Sequence, residues 1–431
     1  MNDSRVSVRI MIREWDLNCF RAGALGVCVM LAMLLAGPFQ PAFVQAETTF
    51  IPSAYGSGRY DTNIFNVPAS RLPPGQDTDD FAGTVGGEAG LVHKSQDVDA
   101  DLSAGGDFNV YAQNTGLNFV TVRARGSARL DRWVDRMLGS KGARLGVTQR
   151  FQYTPEAPGF LTGAGGEIVD DPFFQGIQTI RANTFSNTTG VKAFYPLYRA
   201  LGLEGGYSFA TRRFGSILAL TTGGIQVFDS TVHTWSLGPR YQLTPVDSVA
   251  FLYSWNRLNQ SGSTIGERRT TYQGLGMSYT REMQNWRFDV EAGTVLIEPA
   301  SKWFPTGLVR LSYQPTRSIM VQLSGSRRAA PSFFLLSGAM LSNTGRLETR
   351  YLLSPRLSVA ANARYSLSQP STDASRTAQF VSVGPALTYA LTKQVSVDLF
   401  YLYTFTDNAF ITPSFTLSRN QVGFTLSGRW Q

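Results

Sequence analysis

Charged side chains spaced two residues apart are the first chemical feature of this chain. Asp99 and Asp101 are followed by Asp107, and Arg123 and Arg125 by Arg129. Arg144 and Arg150 continue at even spacing, and Arg212, Arg310 and Arg364 recur in later stretches of the same polar–apolar alternation. In an extended strand, side chains at i, i+2 and i+4 share one face. A face so rich in guanidinium attracts carboxylates and other anions, because arginine stays charged and presents a planar fork of donors. A structural use is open as well. If the hairpin at Asn114-Thr115-Gly116 is centred on Thr115, Asp107 opposes Arg123 and Asp101 opposes Arg129, as ion pairs that brace a wall. That register sets Asp99 against Asp131 and leaves Arg125, Arg144 and Arg150 to face a bore.

Catalytic chemistry is poorly provided for. Of the two histidines, His93 falls in an expected turn and His233 on the apolar parity of its strand. Neither has an evident serine partner within a nucleophile–base arrangement. Glu88, Glu204, Glu291 and Glu348 are scattered over different strands. Asp170-Asp171 falls short of the six or more oxygens that a hard cation needs. We expect no enzyme, no metal and no cofactor.

The elements that must position these groups follow from the rest of the chain. The first 46 residues read as a cleavable secretory signal: Arg5, Arg9, Arg13 and Arg21 precede an apolar run from Ala22 to Gly37, and Val44-Gln45-Ala46 closes it. Both cysteines, Cys19 and Cys28, lie inside this leader, so residues 47–431 have no thiol chemistry. Removing its four basic and three acidic residues turns the net charge from +8 to +7. No helical, finger or aromatic–basic sheet motif for nucleic acid accompanies that charge. Only 16% of the chain is charged and 12% is aromatic, which excludes a disordered chain.

Alternation with period two runs through almost all of residues 47–431, in runs of roughly 10–14 residues against about 5–6 for a soluble strand. A strand that crosses an outer membrane needs about 9–11. Variants of one turn recur at Tyr241-Gln-Leu-Thr-Pro, Tyr279-Thr-Arg-Glu, Tyr313-Gln-Pro-Thr, Tyr351-Leu-Leu-Ser-Pro and Tyr389-Ala-Leu-Thr-Lys. These tyrosines, with Trp430 in the last strand, are suited to the lipid–water boundary. Short turns near residues 94, 137, 198, 245, 283, 317, 355 and 393 join sixteen strands, and a first and a last strand make eighteen. The expectation is an all-β, antiparallel, up-and-down transmembrane barrel of about eighteen strands, with sixteen as the alternative. Its longer connections, 66–79, 155–176 and 215–230, fall on the other rim. The segment Pro155–Gly176 carries Phe160, Leu161, Phe173 and Phe174, and reads either as a plug folded inward or as an ordinary surface loop.

Just after the leader, Tyr60-Asp61-Thr62-Asn63-Ile64-Phe65 resembles the β-barrel porin 2 family, whose members place a Tyr-Asp-x-Asn-Ile-Phe element at the top of the first strand. The resemblance assigns Tyr60, Asp61, Asn63, Ile64 and Phe65 to that motif. It implies a bacterial outer-membrane location and association with exopolysaccharide production and export. Three readings follow. The first is a conduit for extracellular polysaccharide, the second a general diffusion porin for small solutes, the third a plugged barrel with a structural or surface role. The expected partners are outer-membrane lipid and the barrel-insertion machinery. For the first reading, periplasmic export proteins and the polysaccharide join them. Nucleic acid is not among them.

Overall fold

The alternating pattern folds as alternating strands. The computed structural model describes residues 46–72, 77–155, 182–217, 228–262, 266–298, 301–331, 339–371, 376–409 and 414–430. The expected leader, and Glu156–Gly176 of the long connection, lie outside these residues.

The first strands are β1 (Glu47–Asp61), β2 (Asp80–Lys94), β3 (Asp99–Tyr111), β4 (Phe119–Arg129), β5 (Arg144–Thr154) and β6 (Ala182–Tyr198). There follow β7 (Leu201–Ile217), β8 (Asp229–Gln242), β9 (Asp247–Gly262), β10 (Gly266–Met283), β11 (Trp286–Glu298) and β12 (Lys302–Thr316). The last six are β13 (Ile319–Pro331), β14 (Ala339–Ser354), β15 (Leu357–Pro370), β16 (Ala378–Ala390), β17 (Val395–Asn408) and β18 (Phe415–Arg429). Each pairs antiparallel with its neighbours in sequence, and β1 pairs with both β2 and β18, which closes an eighteen-stranded barrel. The β1–β18 seam runs over Ser53–Asp61 and Gln421–Arg429, so every strand has a partner on both flanks, as a wall in lipid requires.

The two faces of this wall differ in chemistry. One carries Val85, Phe108, Leu275, Val309, Leu323, Leu347, Leu399 and Phe424, all exposed. The other carries the charged and hydroxyl residues. Curvature identifies the second face as the concave one. Tyr55 of β1 donates to Asp107 of β3 across β2, and Arg123 of β4 reaches the same Tyr55 hydroxyl at 2.8 Å. Three strand spacings are about 14 Å on a flat sheet, so such contacts form where side chains converge inward.

Short turns join the strands on one rim, and the repeated Ser or Thr explains them. The Thr244 hydroxyl accepts the backbone N–H groups of Val246 and Asp247 at 3.2 and 3.0 Å. Ser354 does the same for Arg356 and Leu357, and Thr392 for Gln394 and Val395. A hydroxyl that bonds the backbone two and three residues on fixes the reversal locally. Tyr241, Tyr313, Tyr351 and Tyr389 stand exposed on the outward face above these turns, as does Trp430 at the end of the wall. Tyr279 instead donates to Asp247 at 2.6 Å.

Three expectations are corrected. The turn near residue 137 is a helix, α1 (Asp131–Leu138), closed by Gly139 at φ +62°. Leu130, Trp133, Val134, Met137 and Leu138 already had helical spacing. His93 lies in β2, not in a turn, and shares a 2.9 Å hydrogen bond with Thr48. The β3–β4 register differs by two residues: Asp99 opposes Arg129, Asp101 opposes Ser127, Gly105 opposes Arg123 and Asp107 opposes Thr121. Asp131 is in α1, so it meets no Asp99. The cause lies in the loop, where a 3-10 turn at Thr115–Leu117 and the Asn118 side chain, accepting Tyr111 N–H at 2.8 Å, displace the hairpin centre. A two-residue shift keeps every side chain on its face.

Candidate functional site

Alternate-residue geometry places all eleven charged candidates on the concave face: Asp99, Asp101, Asp107, Arg123, Arg125, Arg129, Arg144, Arg150, Arg212, Arg310 and Arg364. All but Arg212 fall into two groups. The first is a network over β1–β5. Arg123 bonds Asp107 at 2.6 Å and Glu88 at 3.3 Å as well as the Tyr55 hydroxyl. Asp107 also accepts from Tyr55 at 2.7 Å and from Asn109 at 2.8 Å. Arg125 reaches Ser103 at 3.0 Å and lies 3.7 Å from Glu88. Thus the Asp107–Arg123 pair forms as a diagonal contact, although the two residues are not directly opposed.

Glycine makes this network possible. A Cβ on Gly86 would stand 2.6 Å from the Tyr55 hydroxyl and 2.7 Å from Asp107 Cβ. The Tyr55–Asp107 bond therefore crosses β2 where no side chain blocks it. Gly105 plays the same part between Glu88 and Arg123, since its Cβ would lie 2.5 Å from the Gly87 carbonyl.

Beyond the network the cationic wall continues. Arg150 is the register partner of Arg125, a like-charged pair on one face. Arg125 remains about half exposed, with a side-chain accessibility of 56%. Arg144 lies over the Phe194 ring at 5.9 Å. Arg212 is fully buried between the register neighbours Ser186 and Ser230.

The second group lies across β11–β16. Arg310 opposes Asp289 and Ser324, Ser324 opposes Arg346, and Arg346 opposes Arg364. Arg364 also sits over Phe380 at 5.7 Å. Thus Arg310 and Arg364 share a row that does not include the β4–β5 arginines. Arg346 was absent from the expected set, as were Tyr55, Glu88, Arg240, Glu291 and Arg328. Three of these form two further inward pairs, Arg240–Glu204 at 2.5 Å and Arg328–Glu291 at 3.4 Å. Strand parity alone would have found them; Tyr55 was hidden because an aromatic on the polar parity carries no charge signal.

Part of the concave face is packed rather than wet. Ala210, Val232, Leu258, Tyr272, Val295 and Ile297 come from five consecutive strands, are at most 6% exposed, and pack with Phe214 and Phe304.

The Tyr60–Phe65 element has a different use from the charged face. Asp61, fully buried at the end of β1, forms a bidentate pair with Arg419 of β18, accepts from Gln421 at 2.7 Å and caps Asn63 N–H at 3.0 Å. Asn63 then organises the loop, donating to the Val67 carbonyl at 2.8 Å and accepting from Asn66 N–H at 2.8 Å. Ile64 and Phe65 pack with Val67 on Ala82, Tyr111 and Leu117. Because Ala82 and Tyr111 are concave-face residues, the loop after β1 folds into the mouth of the barrel. Tyr60, on the outer parity, donates to Asp79 at 2.7 Å and stacks near Phe81.

His233 lies on the outward face, its Nδ1 3.0 Å from the Tyr207 hydroxyl. Among the described residues no group of three or more His, Cys, Asp and Glu side chains is placed to hold a metal ion.

No protein-family model and no curated protein matches the chain. Among solved structures it is similar to Pseudomonas aeruginosa OccK2 (OpdF), with a TM-score of 0.42 and 10% identity over 89% of this chain and 98% of that one. It is also similar to Acinetobacter baumannii OccAB3, with a TM-score of 0.41 and 12% identity over 89% and 99% of the two chains. Pseudomonas aeruginosa OpdQ gives 0.41 and 9% identity over 89% and 97%.

Proposed function

We propose that this barrel is an outer-membrane channel through which small hydrophilic solutes diffuse, with a bias towards anions. The observation that carries the reading is the contrast between its faces. Exposed aliphatic and aromatic side chains clothe the outer wall, while the arginines on β4, β5, β12, β14 and β15 line the concave one. An apolar exterior suits the hydrocarbon of a bilayer, and a charged interior sets what passes. The exposed tyrosines above the short turns and Trp430 fit the lipid boundary at the periplasmic rim.

Arg125 and Arg150 are the pore-lining pair of this reading. The Arg123 cluster keeps its structural role, because its charge is already met by Asp107 and Glu88. The polysaccharide conduit draws no support from the residues that suggested it: Asp61, Asn63, Ile64 and Phe65 are all buried in loop anchoring, where they present nothing to a polymer.

Purified protein added to a planar lipid bilayer tests the reading. Stepwise, ohmic conductance increments are expected. A bilayer that stays closed, with folded barrel shown to be inserted, overturns the channel and leaves a structural barrel.

A further inference from the structure

The helix α1 stands where a two- to four-residue turn would suffice. Eight residues are too few to hold a helix in water by themselves, so its anchors show how it is placed. Arg136 binds Asp97 in the β2–β3 turn through two bonds of 2.9 and 2.6 Å, and Arg132 donates to the Gln96 carbonyl at 3.3 Å. On an adjoining side, Asp131 accepts Leu145 N–H at 2.9 Å, and Asp135 accepts the N–H groups of Gly142 and Ala143 at 3.1 and 2.8 Å. Both tethered sides are polar.

Helical spacing puts Trp133 and Met137 together on the side away from both tethers. They are 40% and 65% exposed, and Leu138, the last residue of the helix, is 51% exposed. An aromatic and two aliphatic side chains held out from a charged scaffold would be costly in water. At the β6–β7 end, on the strand next to β5, Tyr195, Leu197, Tyr198 and Leu201 are exposed too. Arg199 lies over the Tyr198 ring at 5.3 Å.

We infer that α1 is a membrane-interface helix, with Trp133 and Met137 seated in the acyl edge of the adjacent leaflet. An exposed aromatic–aliphatic stripe at the rim of a barrel whose outer wall is apolar, beside the strand next to the exposed aromatics of the β6–β7 end, selects lipid as the occupant. The inference rests on the membrane-spanning reading of the barrel and adds a lipid contact at one point of its rim.

Residues 47–431 contain no cysteine, so single nitroxide labels can be placed at will. Met137→Cys, Lys141→Cys and the wall control Phe424→Cys are labelled in full barrels reconstituted into phosphatidylethanolamine–phosphatidylglycerol vesicles. Trp133→Cys is the second variant should Met137→Cys misfold. Spin relaxation by oxygen is compared with relaxation by a water-soluble nickel chelate. The labels at 137 and 424 are expected to favour oxygen and the one at 141 to favour nickel. A nickel-accessible label at 137 beside an oxygen-favouring one at 424 refutes the helix–lipid contact while the spanning barrel stands. Nickel access at both 137 and 424 removes the spanning barrel, and this inference with it.

Discussion

Removing one carboxylate should loosen the seam where the barrel closes. Asp61 and Arg419 are 0% and 5% exposed at the side chain, 358 positions apart in sequence, and join β1 to β18. In Asp61→Ala the guanidinium loses both bonds to the carboxylate and remains buried, while Gln421 and Asn63 N–H lose an acceptor. Stranding one partner of a buried pair costs about 3–5 kcal/mol. Unfolding entropy near 2.1 cal/mol/K per residue gives roughly 0.8 kcal/mol/K for about 385 residues. The midpoint should therefore fall by roughly 4–6 °C. The assay is thermal unfolding in detergent, read as loss of the fast-migrating folded band on unboiled gels. The double variant Asp61→Ala with Arg419→Met removes the stranded charge and should recover much of the loss, since buried pairs replaced by apolar groups are often near neutral. A single variant that melts with the parent, or a double variant that melts no higher than Asp61→Ala alone, refutes the reasoning.

Neighbouring positions on β18 should answer oppositely to the same change. Phe424→Arg places a charge on the apolar face and should cost about 2–4 kcal/mol in refolding into vesicles, whereas Thr425→Arg, on the concave face, should refold as the parent does. Equal outcomes would contradict the face assignment. Gly105→Val drives a Cβ to 2.5 Å from the Gly87 carbonyl and should lower folded yield, with a cost of at least about 2 kcal/mol from overpacking. Gly146→Ala, with nothing within 4 Å of its Cβ, should stay within about 0.5 kcal/mol in the same folded-band assay.

The period of the alternation made the barrel legible: it placed the strands and seven of the eight short turns. Turn chemistry was equally plain, because a Ser or Thr bonding forward acts over three residues. What the chain did not disclose depends on distance. The β3–β4 register is displaced by a 3-10 turn and by Asp80, whose carboxylate holds the N–H groups of Gln113 and Asn114 from more than thirty positions away. The Asp61–Arg419 seam joins opposite ends of the sequence. The helix α1 had visible periodicity, but the repeated hairpin pattern around it pointed to a turn. Tyr55, uncharged, gave no sign that it completes the Arg123 cluster.

The sign of ion selectivity tests the central claim most directly. Measured as the reversal potential of single channels under a potassium chloride gradient, it should report chloride preference. That preference should shrink in Arg125→Gln with Arg150→Gln, which removes two of the inward cations. Cation preference in the parent channel, or a reversal potential unmoved by both substitutions, would contradict the assignment of that arginine wall to the permeation path.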